Sequence, residues 1–161
     1  MAEVFGVATG VLQVAGFGAA LGGTLLKCAR EIRNANKELE TIAVQVEATS
    51  KSLDAVGALL RDPDTKDIHT PKLYEDTNAV SKGCHEVFCE LHKAMNAFET
   101  KSGKSRYQLT MMARLQWPLS SARLVELQQV LKHYSEVLHL MLAVLQIVEG
   151  RRAAYFSQFS T

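Results

Sequence analysis

Three stretches of the chain repeat apolar side chains in alternating steps of three and four residues, the period of α-helices that pack on neighbours. No segment alternates like a β-strand over a useful length. We therefore predict an all-α fold, an antiparallel bundle of about four long helices, because short connections usually join antiparallel neighbours. The three stripes are Leu39, Ile42, Val46, Thr49, Leu53, Val56 and Leu60; Leu73, Thr77, Val80, Cys84, Val87, Leu91, Ala94 and Phe98; and Leu124, Leu127, Leu131, Tyr134, Leu138, Met141, Leu145 and Val148.

Residues that start or stop helices divide the chain between these stripes. The boundary signals are Asn34 to Asn36, Arg61 to Asp64, Thr70 with Pro71, and Ser120 or Ser121. They predict one domain over residues 1–161, with a glycine-rich helix at about 3–33 and further helices at about 36–61, 71–99 and 120–156.

The segment Val137–Val148 is apolar nearly all round. Its 12 residues are too few to cross a bilayer, so it is predicted to be the central, fully surrounded part of the core. We expect Phe5, Leu12 and Phe17 of the first helix to pack against it.

Composition excludes several classes of protein. With 161 residues, 47% hydrophobic and 22% charged, the chain suits one globular domain. A net charge of +1 gives no sign of nucleic-acid binding. The three cysteines (Cys28, Cys84 and Cys89) do not form a secreted disulfide framework, so we expect a reducing, cytoplasmic compartment.

No motif indicates an enzyme. Gly103-Lys104-Ser105 lacks the earlier glycine of a phosphate-binding loop, because Phe98 stands there. His85, Cys89 and His92 share one helical face, but three ligands without a fourth partner are a weak zinc signal. We predict no catalytic residue, no cofactor and no bound metal.

The sequence from Val4 to Leu26 contains 23 residues without a charge, of which six are glycines. It is long enough to cross a bilayer. Gly6 with Gly10, and Gly18 with Gly22, are each spaced as G-x-x-x-G, which lets helices approach closely, most usefully in lipid. Two interpretations stay open: tight packing inside a soluble bundle, or a segment stored in the bundle and later assembled in a membrane.

The stretch Lys101–Arg123 carries five basic residues and no acidic one. It is either a solvated loop or a surface for acidic lipid headgroups, to which basic side chains are attracted. The headgroup candidates, with one interfacial aromatic residue, are Lys101, Lys104, Arg106, Arg114 and Trp117.

Three segments also carry a resemblance to a known family: MAEVFGVATGVLQVAGFGAALGGTL, PKLYEDTNAVSKGCHEVFCELHKAMNAFE and SEVLHLMLAVLQIVEGRRAAYF. Together they resemble the HeLo-like domains of filamentous fungi, from Met1 to about Phe156. The glycine-rich opening is the most telling part. The resemblance implies a cell-death effector domain of NLR-type (STAND) receptors or amyloid-signalling proteins, similar in role to the bundles of mixed-lineage kinase-like necroptosis effectors and plant resistance proteins.

The implied mechanism is clustering, release of the first helix and insertion at the plasma membrane by a domain that is cytoplasmic at rest. Membrane lipids, further copies of the chain and an NLR-type or amyloid-motif protein would be its partners, and nucleic acid would not. No ATPase or amyloid segment lies within the 161 residues, so the chain is expected to be either an excised domain or a protein that lacks its own trigger. The alternative is a soluble oligomerisation or adaptor module. The predicted membrane-insertion residues are Phe5, Gly6, Gly10, Leu12, Gly16, Phe17, Gly18, Gly22 and Gly23.

Overall fold

The computed structural model describes residues 2–31, 37–101 and 119–159, which are helical apart from short connections. Across these ranges there are four long helices and no strand, so the predicted all-α fold is confirmed. The helices are α1 (Ala2–Glu31), α2 (Lys37–Arg61), α3 (Pro71–Lys101) and α4 (Ser121–Phe159), and a 3-10 helix (Pro63–Ile68) lies between α2 and α3.

Short polar side chains cap the helices where the sequence places start signals. The Thr70 hydroxyl accepts a hydrogen bond from the Leu73 backbone N–H at 3.2 Å, and Pro71 opens α3. The Ser120 hydroxyl accepts from the Arg123 N–H at 3.2 Å. Both bonds satisfy N–H groups that have no partner in the first helical turn. The start signal at Asn34 to Asn36 lies outside the described residues.

Contacts between α1 and α2, and between α3 and α4, run in opposite orders along the two helices. The pairs are Leu12 with Gly57 and Gly18 with Ser50, then Thr77 with Met141 and Glu90 with Arg123. Between α2 and α4 the order is the same, because Gln128 donates to the Glu38 carbonyl and His139 contacts Ser52. The helices α1 and α4 each pack on α2 and α3, so α1 and α4 occupy diagonal corners of the bundle.

The core consists mainly of the three predicted stripes. Ile42, Leu53, Leu91 and Leu131 are fully buried within one cluster. Thr49, the polar member of its stripe, is also buried and donates to the Gln45 carbonyl at 2.8 Å. The predicted seams are therefore confirmed along most of their length.

The prediction that Val137–Val148 is fully surrounded is wrong. Leu138 and Leu145 are buried, but Leu140, Val144 and Ile147 are 67%, 53% and 55% exposed. A corner helix of a four-helix bundle is covered on one side only. α4 packs on α2, α3 and the 3-10 helix, so its opposite side faces solvent. Within Val137–Val148 that solvent-facing side is apolar.

The expected packing of Phe17 against Val137–Val148 is also wrong. Leu12 lies over Gly57 of α2, and Phe17 packs on rings of α3. The side chain of Phe5 lies outside the described residues. The placement of α1 and α4 at diagonal corners explains the difference for Phe17, because α1 packs mainly on α2 and α3.

Candidate membrane-interaction site

The helix α1 has two different sides, both without charge from Val4 to Leu26. Its inner side buries Val11, Leu21 and Leu25 in the core. Its outer side carries small or uncharged residues, so the helix presents no charge to solvent over more than five turns. The exposed residues of this outer side before Lys27 are Gly6, Thr9, Gln13, Gly16, Ala19, Ala20 and Thr24.

Gly18 and Gly22 are needed for packing in the bundle. A Cβ atom on Gly22 would lie 3.2 Å from the Glu47 backbone nitrogen and 3.3 Å from the Ala43 carbonyl oxygen. A Cβ atom on Gly18 would overlap the Ser50 hydroxyl and the ring of Phe88. Gly22 thus lies against the backbone of α2, and Gly18 lies against side chains of both α2 and α3, as the interpretation of tight packing expects.

Gly6, Gly10, Gly16 and Gly23 have no such role. Apart from the chain neighbours and the nearby backbone of α1 itself, no atom of the described residues lies within 4 Å of a Cβ built on any of the four. Each glycine costs ~1 kcal/mol relative to alanine inside a helix. The packing of the bundle therefore does not account for these four glycines, and the six predicted membrane-insertion glycines separate into two classes.

An open groove separates α1 from α3. It consists of two recesses of about 640 and 290 Å³, and Asn78 lines both of them. Gly6 and Gly10 each line one recess, together with Tyr74 and Ser81 of α3. α1 is thus held closely by α2 and loosely by α3 along its first half.

Phe17 crosses the groove and contacts the face of α3 that carries His85, Cys89 and His92. Its ring centroid lies 5.8 Å from that of His85 and 5.6 Å from that of His92, with Phe88 at 6.3 Å. The Cys89 Sγ atom lies 3.4 Å from His85 Nε2. The two histidines, two helical turns apart, therefore form an aromatic contact surface for α1.

No group of three or more His, Cys, Asp or Glu side chains in the described part of the chain could hold a metal ion. Burial raises the pKa of the Cys84 thiol to about 12. That thiol is therefore protonated at neutral pH and packs as a small apolar side chain.

A hydrogen-bonded group at the end of the groove was not anticipated from the sequence. The Tyr74 hydroxyl lies 2.6 Å from His69 Nδ1, and the Thr65 hydroxyl lies 3.0 Å from His69 Nε2. Thr65 Oγ1 lies 2.7 Å from the Leu59 carbonyl oxygen, to which it donates. Burial lowers the pKa of His69, which favours the neutral ring. His69 also lines the recess beside Gly6, so it links the α2–α3 connection to the groove.

The proposed lipid-headgroup residues are not placed. Lys104, Arg106, Arg114 and Trp117 lie outside the described residues, as does the side chain of Lys101, the last residue of α3. The Arg123 guanidinium binds both Glu90 and Glu126, at 2.8 and 2.9 Å. The hydrogen bond from Arg123 lowers the pKa of Glu90. The ion pair of Arg123 with Glu90 joins α4 to α3 at this end of the basic stretch.

One described helix, Gly6–Arg30, is long and apolar enough to cross a membrane, with a mean hydropathy of 1.4 and a third of its residues buried. Core helices of soluble proteins and signal sequences can have the same length and hydropathy as a membrane-spanning helix. No protein-family model, curated protein or solved structure matches the chain. The resemblance to fungal HeLo-like domains therefore rests on the three sequence segments that carry it.

Proposed function

We propose that the domain is a membrane-disrupting or pore-forming effector of fungal programmed cell death and heterokaryon incompatibility. It is cytoplasmic at rest, as an antiparallel bundle with a glycine-rich first helix, and moves to the plasma membrane when clustering releases α1. One observation carries the proposal: α1 is uncharged on all sides from Val4 to Leu26 and keeps four glycines that the bundle does not use.

The core contacts of α1 make release into water unfavourable. Withdrawing Val11, Leu21 and Leu25 from the core would cost ~5–9 kcal/mol, at ~1.5–3 kcal/mol for each fully buried aliphatic side chain. A bilayer offers the same side chains an apolar environment, so most of this cost disappears when α1 moves directly into lipid. Release is accordingly coupled to membrane contact.

The dimensions of α1 suit such a transfer. The 23 residues from Val4 to Leu26 give a helix of ~34 Å, and the hydrocarbon core of a bilayer is ~30 Å thick. A mean hydropathy of 1.4 is modest, so a single helix would bind lipid weakly. Clustering brings several copies together, and glycine faces such as Gly6 with Gly10 then support contacts between helices in lipid.

An NLR-type receptor or an amyloid-motif protein would supply the clustering in this mechanism. Lys101, Lys104, Arg106, Arg114 and Trp117 would attract acidic lipid headgroups before insertion. Neither role requires a cofactor or a catalytic residue.

A charged substitution at Gly16 tests the proposal. Gly16 lies near the middle of the uncharged segment, is exposed, and has open space where a side chain would stand. Gly16→Asp should therefore leave the bundle folded. A charge near mid-bilayer costs ~2.5–3.5 kcal/mol on insertion scales, which corresponds to roughly a hundredfold loss in the insertion equilibrium. Ala48→Asp, at a small exposed residue of α2, is the matched control.

The assay is dye release from acidic-lipid vesicles by artificially clustered domain, with thermal unfolding followed by circular dichroism. Gly16→Asp should lose leakage, whereas Ala48→Asp should keep it, with both variants folded. Equal leakage from the two variants, or none from the clustered unmodified chain, would contradict insertion of α1. Deleting residues 1–23 or charging Gly18 is a poorer test, because both changes also disrupt the core.

The second candidate function is a soluble oligomerisation or adaptor module of an NLR-type receptor. The close packing of Gly18 and Gly22 on α2 favours it, because it makes α1 an integral part of the resting bundle. The same vesicle assay separates the candidates, since an adaptor would cluster without releasing dye.

A further inference from the structure

The distal half of α4 exposes an apolar stripe that no described helix covers. Leu140, Val144, Ile147 and Val148 are between 36% and 67% exposed. They follow one another in steps of four, three and one, which places them on one side of the helix. Leu138 and Leu145 on the opposite side are buried in the bundle.

The outward side of α4 changes character abruptly along its length. In the first half the centre of this side carries four exposed polar residues at helical spacing, Glu126, Gln129, His133 and Glu136, and the two valines at its edges, Val125 and Val130, are only 38% and 39% exposed. From Leu140 onward the same side is apolar, until Arg151 ends the stripe. A soluble helix usually keeps its outward side polar throughout, so a bounded apolar stripe indicates a partner surface.

We infer that this stripe is a self-association surface on which α4 of a second copy packs in antiparallel orientation. A two-fold axis between Ala143 and Val144 brings Leu140 of each copy opposite Ile147 of the other. The same axis brings Glu136 of each copy opposite Arg151 of the other. The charges at the two ends of the stripe are therefore complementary in the antiparallel pair, and a parallel pair would place like charges together.

The size of the stripe sets the strength of the pair. From Glu136 to Arg151 the helix is ~24 Å long and ~10 Å wide, so each copy would bury roughly 240 Å², well below the ~800 Å² per partner of a standard interface. The pair is consequently weak in dilute solution. It forms when copies are brought together, because a high local concentration favours a weak interface.

This surface is independent of membrane insertion, because α4 and α1 stand at diagonal corners of the bundle. Two copies can associate through α4 while α1 stays in place. A failure of this inference would therefore leave the leakage test of α1 unaffected, and the reverse also holds.

Sedimentation equilibrium of the full chain, from roughly 10 μM to 1 mM, tests the inference in the range where an interface below standard size dissociates. The unmodified chain should form dimers at the upper end. Val144→Glu should weaken dimerisation at least ~tenfold, because it places two carboxylates at the apolar centre of the interface. Val44→Glu on α2 should not, although both valines are 53% exposed.

The orientation is tested through the charges. Glu136→Gln should weaken the antiparallel dimer roughly two- to tenfold, since it removes two exposed ion pairs. The double exchange of Glu136→Arg with Arg151→Glu should restore the original affinity. A stronger dimer for Glu136→Gln would show parallel packing and overturn the inference.

Two further outcomes would also overturn it. One is a chain that stays monomeric up to ~1 mM. If Val144→Glu also abolishes binding of that monomeric chain to vesicles, the stripe is a lipid contact instead. The other is equal weakening by Val44→Glu and Val144→Glu, which would indicate non-specific association.

Discussion

Replacing Gly18 with alanine should destabilise the bundle, whereas the same change at Gly16 should not. The added methyl at Gly18 would meet Ser50 and Phe88, with the ring Cζ atom at 2.8 Å. Neither neighbour has room to move. Ser50 is buried and donates to the Val46 carbonyl at 2.7 Å, and Phe88 is fully buried beneath Phe17. α1 must therefore move away from α2 and α3.

The expected magnitude comes from comparing the two variants. Both gain the same ~1 kcal/mol of helix propensity when glycine becomes alanine. Only Gly18→Ala adds an overpacking cost, ~1–3 kcal/mol for extra methylene-sized groups in a filled core. The difference in the free energy of unfolding between the variants is thus ~1–3 kcal/mol in favour of Gly16→Ala, which should exceed the unmodified chain in stability.

Urea unfolding followed by circular dichroism measures this difference, with the slope of each transition checked for constancy. Equal stability of the two variants, or a more stable Gly18→Ala, would refute the distinction between packed and unpacked glycines. Gly22→Ala should fall between them. Its methyl would approach backbone atoms of α2 at 3.2 Å or more, which is tight without overlap.

Two other predictions concern the groove between α1 and α3. Burial lowers the pKa of His69 below its ordinary 6.5, so the unfolded chain binds the proton more readily than the folded one. The folded state is therefore most stable, with respect to His69, above about pH 6.5, and it loses this stability as the pH falls through the lowered pKa. Between about pH 7 and pH 5, the urea midpoint of the unmodified chain should fall more than that of His69→Gln. The double variant Gly6→Leu with Gly10→Leu should keep the bundle folded, because both positions are open. It should nevertheless reduce vesicle leakage, because the larger side chains block close helix contacts in lipid. Undiminished leakage would contradict a membrane role for these glycines.

The sequence predicts the helices and their buried seams well, because both depend on local periodicity and caps. The stripe from Leu39 to Leu60 is buried throughout, and Thr70 caps α3 as its position before Pro71 suggests. The arrangement of the helices depends on long-range contacts. Periodicity alone could not show that α1 and α4 stand at diagonal corners, and so the partner of Phe17 was predicted wrongly.

Burial on α4 was overestimated for a related reason. A helix that is apolar all round is usually a buried one, and Val137–Val148 fits that description. Such a pattern cannot distinguish contact with the domain's own core from contact with another molecule. The exposed positions Leu140, Val144 and Ile147 become visible only when the neighbours of α4 are known.

The glycines of α1 show where release of the helix would start. Its second half is tied to α2 at Gly22, which lies against backbone atoms, and to both α2 and α3 at Gly18, which lies against Ser50 and Phe88. Its first half borders open recesses beside Gly6 and Gly10, so separating this part from α3 breaks fewer close contacts. Ala8 and Val11 still hold it in the core, which keeps the helix in place until lipid can receive those side chains. The proposed membrane mechanism therefore requires α1 to detach from its N-terminal end, with its contacts to α2 breaking last.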